Sequence, residues 1–163
     1  MGVTHTSPLR AFLPLGIALG GRRCVVVGGG TVGTRKVATL AHAGARVTVV
    51  APVLTEELAG RVAAGGVRWI EGPYREEQLE GAFLVVAATG DPTLNVAVAA
   101  AAERAGALAC NASSGQSSQV IFGALVDHDG ATVAVFTDGR DPARSRETRD
   151  RIAAHLATDH RRS

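Results

Sequence analysis

Apolar and polar positions along this chain follow two rhythms. Short runs of β-branched and apolar residues are separated by longer stretches in which apolar residues return every three or four positions, the spacing of one helix face. The first run, Arg23–Val27, enters Gly28-Gly29-Gly30. From Thr31 to His42, Val32, Val37, Leu40 and Ala41 can then share an inner face, and Ala43-Gly44 ends the helix. A second strand is predicted over Arg46–Ala51, stopped by Pro52. The next helix opens at Thr55-Glu56-Glu57, where acids suit the positive end of a helix, and runs to Ala64 before Gly65-Gly66. A third strand follows over Val67–Glu71, then one helical turn over Glu76–Leu79. Phe83–Ala88 is continuously apolar and reads as a strand covered on both faces. Asp91 caps a helix with Pro92 at its first position, running to Arg104, and Ala107–Asn111 is a fifth strand.

Alternation of this kind predicts an α/β fold: a Rossmann-like, doubly wound parallel sheet with right-handed crossovers and strand order 3-2-1-4-5. Ligands of such sheets bind beyond the carboxyl ends of the strands at the switch point, here between the first and fourth strands. Gly28–Gly33 and Thr89-Gly90-Asp91 would then border one crevice. After Asn111 the texture changes. Ala112–Gln119 is polar. Val120–Val126 and Thr132–Phe136 read as an antiparallel β-hairpin turning at Asp127-His128-Asp129-Gly130, and a charged helix is expected from Ala143 to Leu156. The expected division is a nucleotide-binding domain over 1–111 and a small C-terminal segment over 112–163. Residues 1–9 are polar and expected to be disordered, and residues 10–20 form an apolar lead-in expected to be a strand or extended arm.

The first strand–turn–helix junction carries the chemistry. Gly28, Gly30 and Gly33 make G-x-G-x-x-G directly between a buried-strand run and a helix. Gly28 permits the sharp turn, Gly30 lets a pyrophosphate approach the backbone, and Gly33 lets helix pack on strand. The anion then meets the free N–H groups of the helix N-terminus. The pattern points to a dinucleotide.

Composition narrows the picture further. Aromatic residues are only 4% of the chain and the net charge is +2, so neither a base-stacking surface nor a basic nucleic-acid face is expected. The two cysteines, Cys24 and Cys110, fall in predicted strands and read as buried apolar residues of a reducing compartment. The run Ala11–Leu15 is too short and broken for a signal peptide or membrane span, so no membrane partner and a cytoplasmic location are expected.

With the pattern laid out, the chain resembles the precorrin-2 dehydrogenase and sirohydrochlorin ferrochelatase family, including the N-terminal module of siroheme synthases. The resemblance covers roughly residues 12–155. It is carried by LPLGIALGGRRCVVVGGGTVGTRKVATL, GARVTVVAP, GAFLVVAATGDPTLN and TVAVFTDGRDPA, in family order. It implies NAD-dependent oxidation of precorrin-2, a tetrapyrrole, to sirohydrochlorin. It also implies, for some members, iron insertion to give siroheme. The hairpin and last helix would form a dimerisation appendage of a homodimer, and family members continue as a helical C-terminal region that helps build the dimer and substrate cleft. By the same resemblance the cofactor would touch Gly28, Gly30, Thr31, Val32 and Gly33, the strand end at Ala51 and Pro52, and Thr89. NAD rather than NADP is favoured by the resemblance alone, because neither an acid nor an arginine stands at the tip of the second strand.

One departure concerns catalysis. The family carries an N-V-V-D segment whose aspartate is implicated in dehydrogenation and metal insertion, and here Asn111-Ala112-Ser113-Ser114 stands in its place. Ser114 becomes a candidate for placing substrate or relaying a proton through water, although a hydroxyl is a poor proton acceptor. Asp138 is a candidate replacement carboxylate, or else simply part of an Asp-Gly turn. Asp127-His128-Asp129 is read as an exposed turn, and no metal site is assigned. Arg35 and Lys36 either reach the substrate side or lie on the helix surface. Seven arginines between residues 140 and 163, against four acids, would suit a polycarboxylate or simply a solvated face with pairs such as Glu147–Arg151. Two other readings remain open: a divergent relative acting on another substrate or handling metal, and a non-enzymatic nucleotide-sensing subunit.

Overall fold

The computed structural model of the chain describes residues 12–137 and 141–159. The polar stretch 1–9 and Asp138 lie outside these residues. Two compact units are present. One spans Gly16–Val120, and the other runs from Ile121 onward and includes residues 12–15.

The first unit is a five-stranded parallel sheet. Its strands are β1 (Arg23–Val27), β2 (Arg46–Ala51), β3 (Arg68–Glu71), β4 (Leu84–Ala87) and β5 (Leu108–Asn111), in the order β3-β2-β1-β4-β5. Helices α1 (Thr31–His42), α2 (Glu56–Ala63) and α3 (Pro92–Arg104) make the crossovers, and Glu76–Leu79 is a single 3-10 turn. Valines fill both faces of the central strands: Val25, Val26, Val49 and Val86 have no exposed surface, and Val37, Leu40 and Val98 cover them from α1 and α3. β-branched side chains favour the extended backbone, while the alanines of α3 let that helix lie close to the sheet. Strand order and parallel pairing are those predicted. β3 and β5 each begin one residue later than expected, and β4 is one residue shorter at both ends, as fraying ends are.

The described part of the lead-in forms no strand, which leaves the extended arm of the two expected forms. Residues 12–18 have no regular structure, and Leu13 and Leu15 are exposed. The polar loop after β5 folds back along the outer edge of that strand. Gln119 and Val120 both donate their N–H groups to Ala109 O, at 2.8 and 3.0 Å, and Gln119 Oε1 accepts from Ala109 N. The loop therefore blunts a free sheet edge and belongs to the first unit, whereas the sequence reading puts the division at 111/112.

The second unit holds an antiparallel pair, β6 (Ala124–His128) and β7 (Ala131–Val135), packed on α4 (Pro142–Asp159). Two expectations are corrected here. β6 starts at Ala124 rather than Val120: Val120 donates its N–H to Ala109 O, and residues 121–123 carry no regular structure. The turn is Asp129-Gly130 alone, with φ of 48° and 75°, so Asp127 and His128 lie inside the strand. Two successive left-handed residues match the twist of a hairpin. Gly123 has no side chain to spare, since a Cβ there would stand about 3 Å from the ring of Phe136.

Candidate functional site

The candidate site lies at the carboxyl ends of β1, β2, β4 and β5. The glycine turn connects three of them, and each glycine does a different job. Gly28 has φ of 122°, and a Cβ on it would run into the carbonyl oxygen of Ala88, at the end of β4. A Cβ on Gly29 would strike Val53 O and the side chains of Leu54 and Ala51, at the end of β2. A Cβ on Gly33 would strike Gly28 O. Gly30 alone faces open space, with nothing within 4 Å. Three glycines thus close the backbone upon itself, and the fourth leaves room at the start of α1.

That room has the electrostatics of an anion site. Gly30 is the N-cap of α1, no side chain caps it, and the first turn carries no acid. The first main-chain bond of the helix is Thr34 N to Gly30 O. The preceding N–H groups, with the positive end of the helix, are free of an internal competitor for phosphate oxygens. Thr31 is exposed, and Val32 offers an apolar contact beside the turn. At the end of β2, Ala51 is buried while Pro52 and Val53 are exposed. Ala51 O accepts from Trp69 Nε1 at 3.0 Å and from Gly72 N at 3.2 Å. The open cradle at Gly30 therefore fits a dinucleotide pyrophosphate.

Two hydroxyls brace the turn. Thr34 Oγ1 bonds Gly30 O at 3.0 Å and shares a 2.7 Å bond with Thr55 Oγ1. Thr55 accepts from Leu58 N as the N-cap of α2, and its own N–H donates to Gly29 O. Sequence reasoning names Thr55 only as a helix start and gives Thr34 no role. Their 21-residue separation hides the contact from any local pattern.

On the other side of the crevice, Thr89 is fastened by Asn95, which is buried in the first turn of α3. Ser114 follows β5. Its N–H donates to Asn111 O at 3.2 Å, and it starts a 3-10 turn over Gly115–Ser117 without capping that turn with its hydroxyl. The structure thus brings the glycine turn, Ala51-Pro52, Thr89 and Ser114 to one end of the sheet. It describes no position for Asp138. Asp127, His128 and Asp129 lie in the other unit. Among the described residues no three His, Cys, Asp or Glu gather where they could hold a metal ion.

Lys36 and Arg35 part ways. Arg35 is exposed, while Lys36 turns partly inward toward β5. Burial lowers the Lys36 pKa below its ordinary value, the negative charge available to Cys110 opposes this, and Arg35 adds to the lowering. Burial pushes the Cys110 thiol up to about 11, partly offset by Lys36. Cys24 is likewise raised by burial. Both thiols are therefore protonated, inert packing groups at neutral pH.

Comparison with known proteins agrees with this geometry. The sequence model described as putative NAD(P)-binding matches residues 15–124. The chain belongs to this NAD(P)-binding family. It is similar to the siroheme synthase of Photorhabdus laumondii, with 37% identity over 145 residues, 89% of this chain and 31% of that protein. It is also similar to the siroheme synthase of Chromobacterium violaceum, with 40% identity over 141 residues, 86% of this chain and 30% of that protein. The chain thus spans about a third of the length of these curated relatives. Among solved structures, SirC, a precorrin-2 dehydrogenase, superposes on 88% of this chain and 71% of its own with a TM-score of 0.72 at 28% identity. Within the NAD(P)-binding family, the glycine turn is the part whose geometry a dinucleotide explains most directly.

Proposed function

We propose that this chain is an NAD-dependent dehydrogenase that oxidises precorrin-2 to sirohydrochlorin. The observation that carries the reading is the match to a precorrin-2 dehydrogenase, TM-score 0.72 over 88% of the chain, together with a glycine turn shaped for a pyrophosphate. The siroheme synthases, more similar in sequence, point to the same pathway.

Bound NAD would supply the hydride acceptor. The residues of the chain supply placement. Gly30 and the N–H groups of Thr31, Val32 and Gly33 would hold the pyrophosphate. Pro52 and Val53 would flank the adenosine half, and Thr89 would border the nicotinamide side. Loss of hydride from the substrate must be accompanied by loss of a proton. Ser114 would order a water that carries it away; its hydroxyl does not cap the turn that it starts and is not itself a base at neutral pH.

Purified protein mixed with precorrin-2 and NAD is expected to produce sirohydrochlorin with an equal amount of NADH, read from the NADH absorbance band. No NADH under conditions in which a precorrin-2 dehydrogenase turns over would overturn the proposal. Ser114→Asp is expected to raise the rate if the remainder of the pocket is built for this substrate. An unchanged rate in that variant would favour a divergent relative acting on another substrate.

We further propose a homodimer formed through the second unit, in the cytoplasm. Among the described residues β6 and β7 form a sheet of two strands, and a small sheet of this kind gains a neighbour when two copies of the chain pair through it. Among the described residues no helix is long and apolar enough to cross a membrane. Light scattering on the purified chain, giving twice the chain mass, is the expected result.

A further inference from the structure

Asn95 lies in the first turn of α3 and is 1% exposed. Its amide is used at both ends. Oδ1 accepts from Thr89 N at 2.9 Å and from Thr89 Oγ1 at 2.8 Å. Nδ2 donates to Thr89 O and to Ser113 Oγ, both at 3.1 Å. A buried amide with four partners has its orientation fixed. Turned over, it would set its NH2 against the Thr89 N–H and its oxygen against the Thr89 carbonyl.

Ser113 is the next link. Its Oγ donates to Asn111 Oδ1 at 2.7 Å, and its N–H donates to the same oxygen at 2.9 Å. Asn111, 4% exposed, donates Nδ2 to Ser117 Oγ and its own N–H to Ser118 Oγ, both at 2.8 Å. Ser118 Oγ donates to Ser114 O at 2.9 Å. The chain of bonds begins at the loop after β4 and ends on the peptide of Ser114, with each donor and acceptor assigned a direction.

We propose that Asn95 is a positioning residue: through Ser113 and Asn111 it locks the Thr89 loop to the Ser114 loop, so that a dinucleotide held at one sets the geometry of the other. The inference rests on the reading of Thr89 as the dinucleotide side. Main-chain bonds hold the ends of the second loop: Ala112 N donates to Ala87 O at 2.9 Å, and Gln119 and Val120 donate to Ala109 O. Between those ends, what ties Thr89 to Ser113 is the side chain of Asn95. Hydrogen bonds that share the buried amides of Asn95 and Asn111 reinforce one another, and cutting the Ser113 link takes one partner from each amide.

The test uses the full chain, NADH as the probe, and two variants. Ser113→Ala cuts the link at an exposed position and leaves the fold intact. Asn95→Asp keeps the acceptor for Thr89 and removes the donor. In the ligand-free protein, Ser113→Ala is expected to speed amide exchange at 112–118 by about tenfold, with β1 and β2 unchanged. NADH is expected to slow exchange at 112–118 in the unsubstituted protein and to lose that effect in Ser113→Ala. Asn95→Asp is expected to bind NADH about tenfold more weakly at neutral pH and to recover as the pH falls, because a protonated carboxyl again donates toward Thr89 O or Ser113 Oγ. The Asp91 carboxylate, which caps α3 nearby, is common to both proteins and cancels in the comparison. Unchanged exchange at 112–118 in ligand-free Ser113→Ala overturns the inference, as does NADH protection of that loop undiminished by the substitution. Failure of the unsubstituted protein to bind NADH overturns the functional reading instead, and the ligand-free exchange still judges the linkage.

Discussion

A methyl group at Gly28 and a methyl group at Gly30, two residues apart, are expected to have unlike consequences. At Gly28 it would meet the Ala88 carbonyl in a backbone already at φ of 122°. Gly28→Ala should therefore lower stability by roughly 2 kcal/mol or more, read from urea unfolding. At Gly30 it would enter empty space. Gly30→Ala should change stability by less than about 0.5 kcal/mol while weakening NADH binding at least about tenfold, read by calorimetry. Equal loss of stability in both variants would show that the turn is only a packing device. The glycine pattern in the sequence predicts these roles for Gly28, Gly30 and Gly33, because a strand that turns straight into a helix asks for them, although the atom that a Cβ on Gly28 would meet belongs to Ala88. Gly29 is the residue the pattern leaves unmarked. Its constraint comes from Val53 and Leu54, which no reading of residues 28–33 contains.

Elements are held to one another by side chains that recognise distant partners. Thr55 caps α2 and meets Thr34 of α1 in a 2.7 Å bond. Thr55→Ala is expected to cost about 1–2 kcal/mol in thermal or urea unfolding, and Thr55→Ser to restore most of it, since the hydroxyl and not the methyl makes both bonds. Helices and central strands were legible because periodicity, caps and glycine stops are all local signals. The element that sequence reasoning drew too long, β6, shows the limit. An apolar run such as Val120–Gly123 fits a strand, but Ala109 O accepts from Gln119 and Val120, which ties the start of the run to β5 and leaves β6 to begin at Ala124. The site was half legible for the same reason. Its glycine turn is contiguous, whereas Asn95 and Ser113 stand 18 residues apart, and either alone looks like an ordinary polar residue. On α4 the expected Glu147–Arg151 pairing gives way to Arg149 with its neighbour Asp150, at 2.6 Å.

For the molecule as a whole, buried acids set the response to alkali. The Cys110 thiol holds its proton to about 11 when folded, against 9.0 ordinarily, and Cys24 and Tyr74 are also raised, chiefly by burial. A raised pKa means that the unfolded chain loses its proton first. The stability from these groups is complete below pH 9 and is lost as the pH rises toward 11. Lys36, lowered by burial, works in the opposite direction over the same range, because its neutral form is the one the fold prefers. The thiol shift is expected to dominate, with a fall on the order of 2 kcal/mol attributable to Cys110. Urea midpoints measured between pH 8 and 11 check it, and Cys110→Ala should flatten the curve. One further consequence belongs to the lone tryptophan. Trp69 is hydrogen-bonded to Ala51 O, at the strand end that Gly29 packs against. Its indole is thus a native fluorophore fixed to the rim of the crevice. Its emission overlaps the absorption of a reduced nicotinamide, so a docked NADH would draw off its excited-state energy. The loaded and empty protein would then differ in colour under ultraviolet light, and occupancy could be followed in real time without attaching a dye.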